Sequence, residues 1–140
     1  MISTRGRYAL RVMIDLAENG RGKYIPLKDV AERQGISKKY LEILVRDLVE
    51  SGLLEGVSGK GGGYRLSRRP EEYSVGEILD RMENGMTAVA CLEQGAAPCP
   101  RRNECRTLPL WQEYDRLQRD FFYGKKLSDL TENGAETPAE

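Results

Sequence analysis

A chain of 140 residues with 22 basic and 22 acidic side chains carries no formal net charge, and 39% of it is hydrophobic. That length suits one compact domain, or a small domain with an appendage, and no apolar run is long enough to cross a membrane. Histidine is absent, which excludes histidine-based nucleophile activation and histidine ligation of zinc or haem.

The opening segment, Met1 to Gly6, lacks an apolar core and cleavage site, so a secretory leader is not expected and the expected location is the cytoplasm. From Thr4 to about Asn19, Ala9, Val12, Met13, Leu16 and Ala17 recur at helical spacing, and Gly20-Arg21-Gly22 stops the run. Pro26 opens a shorter helix that buries Leu27, Val30 and Ala31 and breaks at Gly35. Ser37 caps a third helix with Leu41, Leu44, Val45 and Leu48 inward, ending at Ser51-Gly52. Leu53–Val57 and Tyr64–Ser67 read as two strands of a hairpin around Ser58-Gly59-Lys60-Gly61-Gly62-Gly63. Four glycines within six residues exceed what a tight turn needs and predict a backbone that approaches something closely.

Past Pro70, Ser74 and Glu77 have capping-box spacing before a helix through Ile78, Leu79 and Met82. From Asn84 to Arg106 periodicity fails, and all three cysteines fall there. Thr107 or Leu108 begins a long helix with Pro109 in its first turn and an apolar stripe of Leu110, Tyr114, Leu117 and Phe121, joined by Trp111. From about Thr131 the chain is polar and reads as a disordered tail.

Charge divides the chain. Residues 1–70 hold 14 Lys and Arg against 8 Asp and Glu, and residues 71–140 hold 8 against 14. The basic half is the one expected to meet a polyanion. The order helix, tight turn, helix and glycine-rich hairpin predicts a winged helix-turn-helix that binds duplex DNA. The third helix would offer Ser37, Lys38, Lys39, Tyr40 and Glu42 to a major groove, and Lys60 at the hairpin tip would reach the backbone or minor groove. Ser58, Gly61 and Gly62 flank Lys60, and Arg5, Arg7, Tyr8 and Lys28 complete the expected contact set.

Cys91, Cys99 and Cys105 are soft ligands on an irregular segment able to wrap an iron–sulfur cluster, with Arg101, Arg102 and Arg106 to offset its charge. The same spacing also fits three incidental thiols, or a redox pair with a spare. An enzyme is not expected, since no CxxC, no histidine base and no paired carboxylates on one helix are present.

Ser3-Thr4-Arg5-Gly6-Arg7-Tyr8-Ala9, Ala31-Glu32-Arg33-Gln34-Gly35-Ile36-Ser37, Tyr40-Leu41-Glu42 and Gly59-Lys60-Gly61-Gly62-Gly63-Tyr64 together resemble the Rrf2 family of bacterial winged-helix transcription regulators. The likeness runs from Met1 to about Leu130, and three cysteines between wing and long helix are the mark of the family's cluster-sensing members.

The resemblance implies a mainly α fold with a small β-hairpin wing, and a homodimer on a pseudo-palindromic operator. It implies a dimer interface of Leu110, Trp111, Tyr114, Leu117 and Phe121, with Ser37, Lys39, Tyr40 and Glu42 at reading positions and Glu42 tuning site choice. It also implies a 2Fe–2S or 4Fe–4S cluster on Cys91, Cys99 and Cys105 that senses iron, cluster status, oxygen or nitric oxide and makes the protein a repressor or dual regulator. Positions where some members carry a histidine or acidic ligand hold Leu108 and Arg7 here, and a wing-base arginine of others is Ser58. The fourth ligand stays open among Glu93, Glu104, a partner carboxylate, a small thiol and water. A cluster-free cysteine-redox or cysteine-metabolism repressor on the same scaffold is the alternative.

The expected organisation is a winged helix-turn-helix domain over 1–72, with the helix-turn-helix at about 27–51 and the wing at about 53–67. A linker helix, cysteine loop (84–106) and dimerisation helix (107–125) span 73–130, before a tail at 131–140.

Overall fold

The computed structural model describes residues 1–132; positions 133–140 of the expected tail lie outside the described residues. Five α-helices and one hairpin follow in chain order: α1 Thr4–Asn19, α2 Leu27–Gln34, α3 Lys38–Glu50, β1 Leu54–Val57, β2 Gly63–Leu66, α4 Val75–Glu83 and α5 Leu108–Tyr123.

Three of the helices, α1, α3 and α4, start at a serine whose side chain accepts from a free amide, whereas α2 and α5 start at Pro26 and Thr107 without a side-chain cap. Ser3 Oγ accepts the Gly6 N–H at 3.1 Å, and Ser37 Oγ accepts that of Tyr40 at 3.2 Å. The capping box at α4 forms in both directions, with Ser74 Oγ accepting from Glu77 and the Glu77 carboxylate accepting from the Ser74 amide. Between α2 and α3 the chain turns through Gly35 at φ +64°, and the Ala31 carbonyl accepts from both Gly35 and Ile36.

The inward faces meet in one core of Ala9, Val12, Met13 and Leu16 from α1, Val30 from α2, Leu41, Leu44, Val45 and Leu48 from α3, and Ile78 and Met82 from α4. Each buried leucine or valine contributes about 1.5–3 kcal/mol. That core draws on both sides of position 72, because α4 packs along α1 and the fully buried Leu127 enters from beyond α5. Backbone bonds fasten this return: Val75 N–H donates to Lys125 O at 2.8 Å, and Leu127 N–H to Tyr73 O at 3.0 Å. Thr131, expected in the polar tail, is half-buried and donates its hydroxyl to Ser128 O.

The antiparallel hairpin pairs Leu54 with Leu66 and Glu55 with Arg65. Buried Tyr73 locks the open end of the hairpin: its hydroxyl donates to Leu53 O, just before β1, at 2.7 Å and accepts from the Ser67 and Arg68 amides, just after β2.

Candidate nucleic-acid interface and thiol segment

The second helix of the helix-turn-helix, α3, turns its apolar residues inward and leaves Ser37, Lys38, Lys39 and Glu42 exposed. Ser37 uses one oxygen lone pair on the helix cap and keeps the other, with its hydroxyl proton, for another partner. Tyr40 is half-buried, its ring edge-to-face with Tyr8 at 5.7 Å, and Arg11 lies over the other ring at 5.1 Å. Tyr8 and Tyr40, both in the expected DNA contact set, therefore also pack α1 against α3. Arg7 and Lys28 are exposed, whereas Arg5 is ion-paired with Asp47 on α3. Arg5 belongs to the expected DNA contact set, and its pairing with Asp47 was not legible there because nothing in a linear pattern sets residue 5 beside residue 47.

At the wing, Ser58, Gly59, Lys60 and Gly61 are exposed. The surplus glycine serves the protein's own backbone. A Cβ on Gly62 would lie 2.3 Å from Val57 O, and one on Gly63 would lie 2.2 Å from Ile25 O. The second approach exists because Tyr64 and Ile25 exchange both backbone hydrogen bonds at 2.9 Å, tying β2 to the segment before α2. Across the hairpin, Arg65 pairs with Glu55 at 2.8 Å and covers the Tyr24 ring at 4.3 Å.

The angle of α2 on α1 is held by a polar group that the sequence reading did not single out. Asp15 is 1% exposed on the inner face of α1. Its carboxylate accepts from Arg33 Nε and Nη2 at 3.0 and 2.8 Å and from Gln34 Nε2 at 2.9 Å. Gln34 in turn accepts from Arg11 through both its side-chain and backbone oxygens. The hydrogen bond to Asp15 holds the Arg33 guanidinium more firmly protonated than usual. The available signal was an acidic residue inside the apolar stripe Val12, Met13 and Leu16.

The thiols lie between α4 and α5. Cys91 is exposed in a single 3-10 turn, Ala90–Leu92; Cys99 and Cys105 are half-buried. Among the described residues no group of three or more cysteine or carboxylate side chains is gathered closely enough to hold a metal. Cys105 sits just ahead of α5, where hydrogen bonds from the Thr107 hydroxyl and amide, and then the Leu108 amide, draw its thiol below the usual range towards thiolate. Arg101 adds to the same effect.

The segment's own backbone bonds are local turns: Leu92 to Val89, Glu93 to Ala90, Ala96 to Glu93, Arg102 to Cys99 and Glu104 to Arg101. Its ties to α5 lie upstream, where Asp115 accepts from the Ala88 amide at 2.8 Å and Gln118 donates to Met86 O. Three soft donors on so loosely bonded a segment suit an iron–sulfur cluster chemically, and drawing them together need break only short-range turns.

No residue of α5 is buried. Leu110, Tyr114, Leu117 and Phe121 are 56, 51, 63 and 58% exposed and form one stripe; Trp111 is half-buried. On its other side the helix is tied to α4, with Tyr123 donating to Asp80 and Arg119 paired to the same carboxylate at 3.5 Å. Among the described residues, no helix is long and apolar enough to cross a membrane.

The family described as Rrf2, iron-dependent transcriptional regulator, matches residues 2–133. The chain is 36% identical over 132 residues to the HTH-type transcriptional regulator IscR of Escherichia coli O1:K1, covering 94% of this chain and 80% of that protein. It is similar in structure to CymR, the global cysteine regulator of B. subtilis, with a TM-score of 0.75, 31% identity and coverage of 99% and 98% of the two chains. A further match is T. potens IscR, also at a TM-score of 0.75, with 28% identity over 100% of this chain and 93% of that one.

Proposed function

Because the chain belongs to the Rrf2 family of transcriptional regulators, we propose that it binds a roughly palindromic operator as a homodimer and that an iron–sulfur cluster sets its affinity. It acts in the cytoplasm as a repressor or dual regulator. Residues 1–72 supply the operator contacts and 73–130 the sensing and dimerisation parts. The observation that carries the sensing half is the placement of Cys91, Cys99 and Cys105 on one loosely bonded segment leading straight into α5.

The bound cluster would supply chemistry sensitive to iron, oxygen or nitric oxide. The chain's own residues do the rest. Cys91, Cys99 and Cys105 hold the group, and the bias of Cys105 towards thiolate favours ligation. A rearrangement of the segment pulls on α5 through Thr107 and Asp115. The other end of α5 is bonded through Lys125 and Leu127 to the core beneath the helix-turn-helix, which gives the thiols a mechanical path to the operator face. Lys38, Lys39, Lys60, Arg7 and Lys28 meet phosphates, while Ser37, Tyr40 and Glu42 face base edges.

The test is anaerobic purification. The protein should be coloured, with visible absorbance that is lost in Cys91→Ala, and operator affinity should differ between the coloured and bleached forms. Likeness to a cysteine regulator, together with thiols that are not gathered, favours a second reading: a cluster-free repressor responding to cysteine redox or cysteine metabolism. Colourless protein from cells with working cluster assembly, binding DNA undiminished, would select that reading.

The phosphate role makes a separate prediction. Lys39→Ala should weaken binding to every duplex alike and flatten the slope of log affinity against log salt by about one unit per protomer. An unchanged slope in a salt titration would remove Lys39 from the phosphate contacts.

A further inference from the structure

Two apolar side chains of α3 are exposed, Ile43 at 50% and Val49 at 37%, and of these Ile43 lies nearer the middle of the face opposite the core. At about 100° per residue, Leu41, Leu44, Val45 and Leu48 define the buried side, and Lys39, Glu42, Ile43, Arg46 and Glu50 project from the opposite side. Four of these five are charged. Ile43 is 50% exposed and lies outside the hydrophobic core cluster. It falls in the second turn of the helix, one residue past Glu42, with Lys39 a turn before it and Arg46 a turn after it.

We propose that Ile43 is a specificity-determining residue that reads the 5-methyl group of a thymine in the operator's major groove. The inference rests on the DNA-binding reading and deepens it. The edges of base pairs in the major groove present hydrogen-bond donors and acceptors and one apolar feature, the thymine methyl. An isoleucine pressed into the groove elsewhere would strip water from polar edges without replacing its hydrogen bonds, which disfavours those sequences. Beside it, Lys39 and Arg46 are placed to straddle the groove towards phosphates, and Glu42 to accept from an exocyclic amine. Ile43 and Glu42 would thus distinguish neighbouring base pairs by different physics, one by apolar contact and one by a hydrogen bond.

The test begins by enriching a binding site from a randomised duplex pool with the full-length chain. Each thymine of that site is then replaced by deoxyuridine, which removes only the methyl. Dissociation constants are measured by fluorescence anisotropy at fixed salt for the wild type and for Ile43→Ala. One symmetry-related thymine per half-site should show a loss of about fourfold, or about tenfold or more when both half-sites are changed, the worth of a buried methyl. Ile43→Ala should bind thymine and uracil sites equally. Circular dichroism of this variant should match the wild type, since the side chain is half exposed.

No thymine with a methyl-dependent loss, or the same loss in Ile43→Ala, would overturn the proposal while leaving DNA binding intact. Enrichment of no sequence at all would instead remove the DNA-binding reading, and this inference with it.

Discussion

Leu117→Asp should convert the protein from dimer to monomer at low micromolar concentration and weaken operator binding by at least about a hundredfold. Leu117 is the most exposed member of the α5 stripe, flanked one turn away on either side by Tyr114 and Phe121. A stripe of four large apolar side chains, each more than half exposed along about 17 Å of helix, is a contiguous apolar surface of the kind that marks a protein interface. In the proposed dimer the substitution removes two buried leucines, about 1.5–3 kcal/mol each, and adds two carboxylates that must be desolvated. The first contribution alone corresponds to roughly two to four powers of ten in dissociation constant. Each monomer then binds one half-site, and the gain from linking two sites, about 10²–10⁴, is lost. Sedimentation equilibrium and an operator titration read the two effects separately. A variant that stays dimeric at low micromolar concentration would take the interface away from this face of α5.

Arg33→Ala should destabilise the protein by about 2–4 kcal/mol, more than Asp15→Ala, although Arg33 is the more exposed partner. The asymmetry comes from burial: the Asp15 side chain is 1% exposed and that of Arg33 is 38%. Removing the guanidinium strands a carboxylate in the core with Gln34 as its remaining side-chain donor, whereas removing the carboxylate leaves an arginine able to turn to water. The double variant should recover part of the loss, because it leaves no charge stranded. Urea unfolding with equal m-values checks the order. If Asp15→Ala proves the worse of the two, the cost lies in packing and not in the stranded charge. Arg33→Ala should also lower operator affinity at temperatures well below unfolding, since the same bonds set the angle of α2 on α1.

The candidate interface was largely legible in the sequence because its parts are local. Gly35, Ser37 and the apolar spacing of α3 lie within a few residues of one another, and these together decide which side of the helix faces out. Arg5 and Tyr8 were less legible. Asp47 and Tyr40 engage them from residues far away in sequence. Ile43 was legible only in part: helical spacing sets it opposite Leu41, Leu44 and Val45, but that no other element covers it is decided by the packed structure.

Helix starts, the αL turn, the hairpin and the capping box were determined by the sequence itself, through hydrogen bonds spanning three or four residues and periodic burial of leucine and valine. Tertiary structure alone decided the return of Leu127 into the core, the Tyr73 lock, the Asp15 clamp and the use of wing glycine against Ile25. Each of these joins residues from about 18 to more than 100 positions apart. Such contacts depend on where whole elements pack, and one element's spacing and composition hold no record of its distant partner.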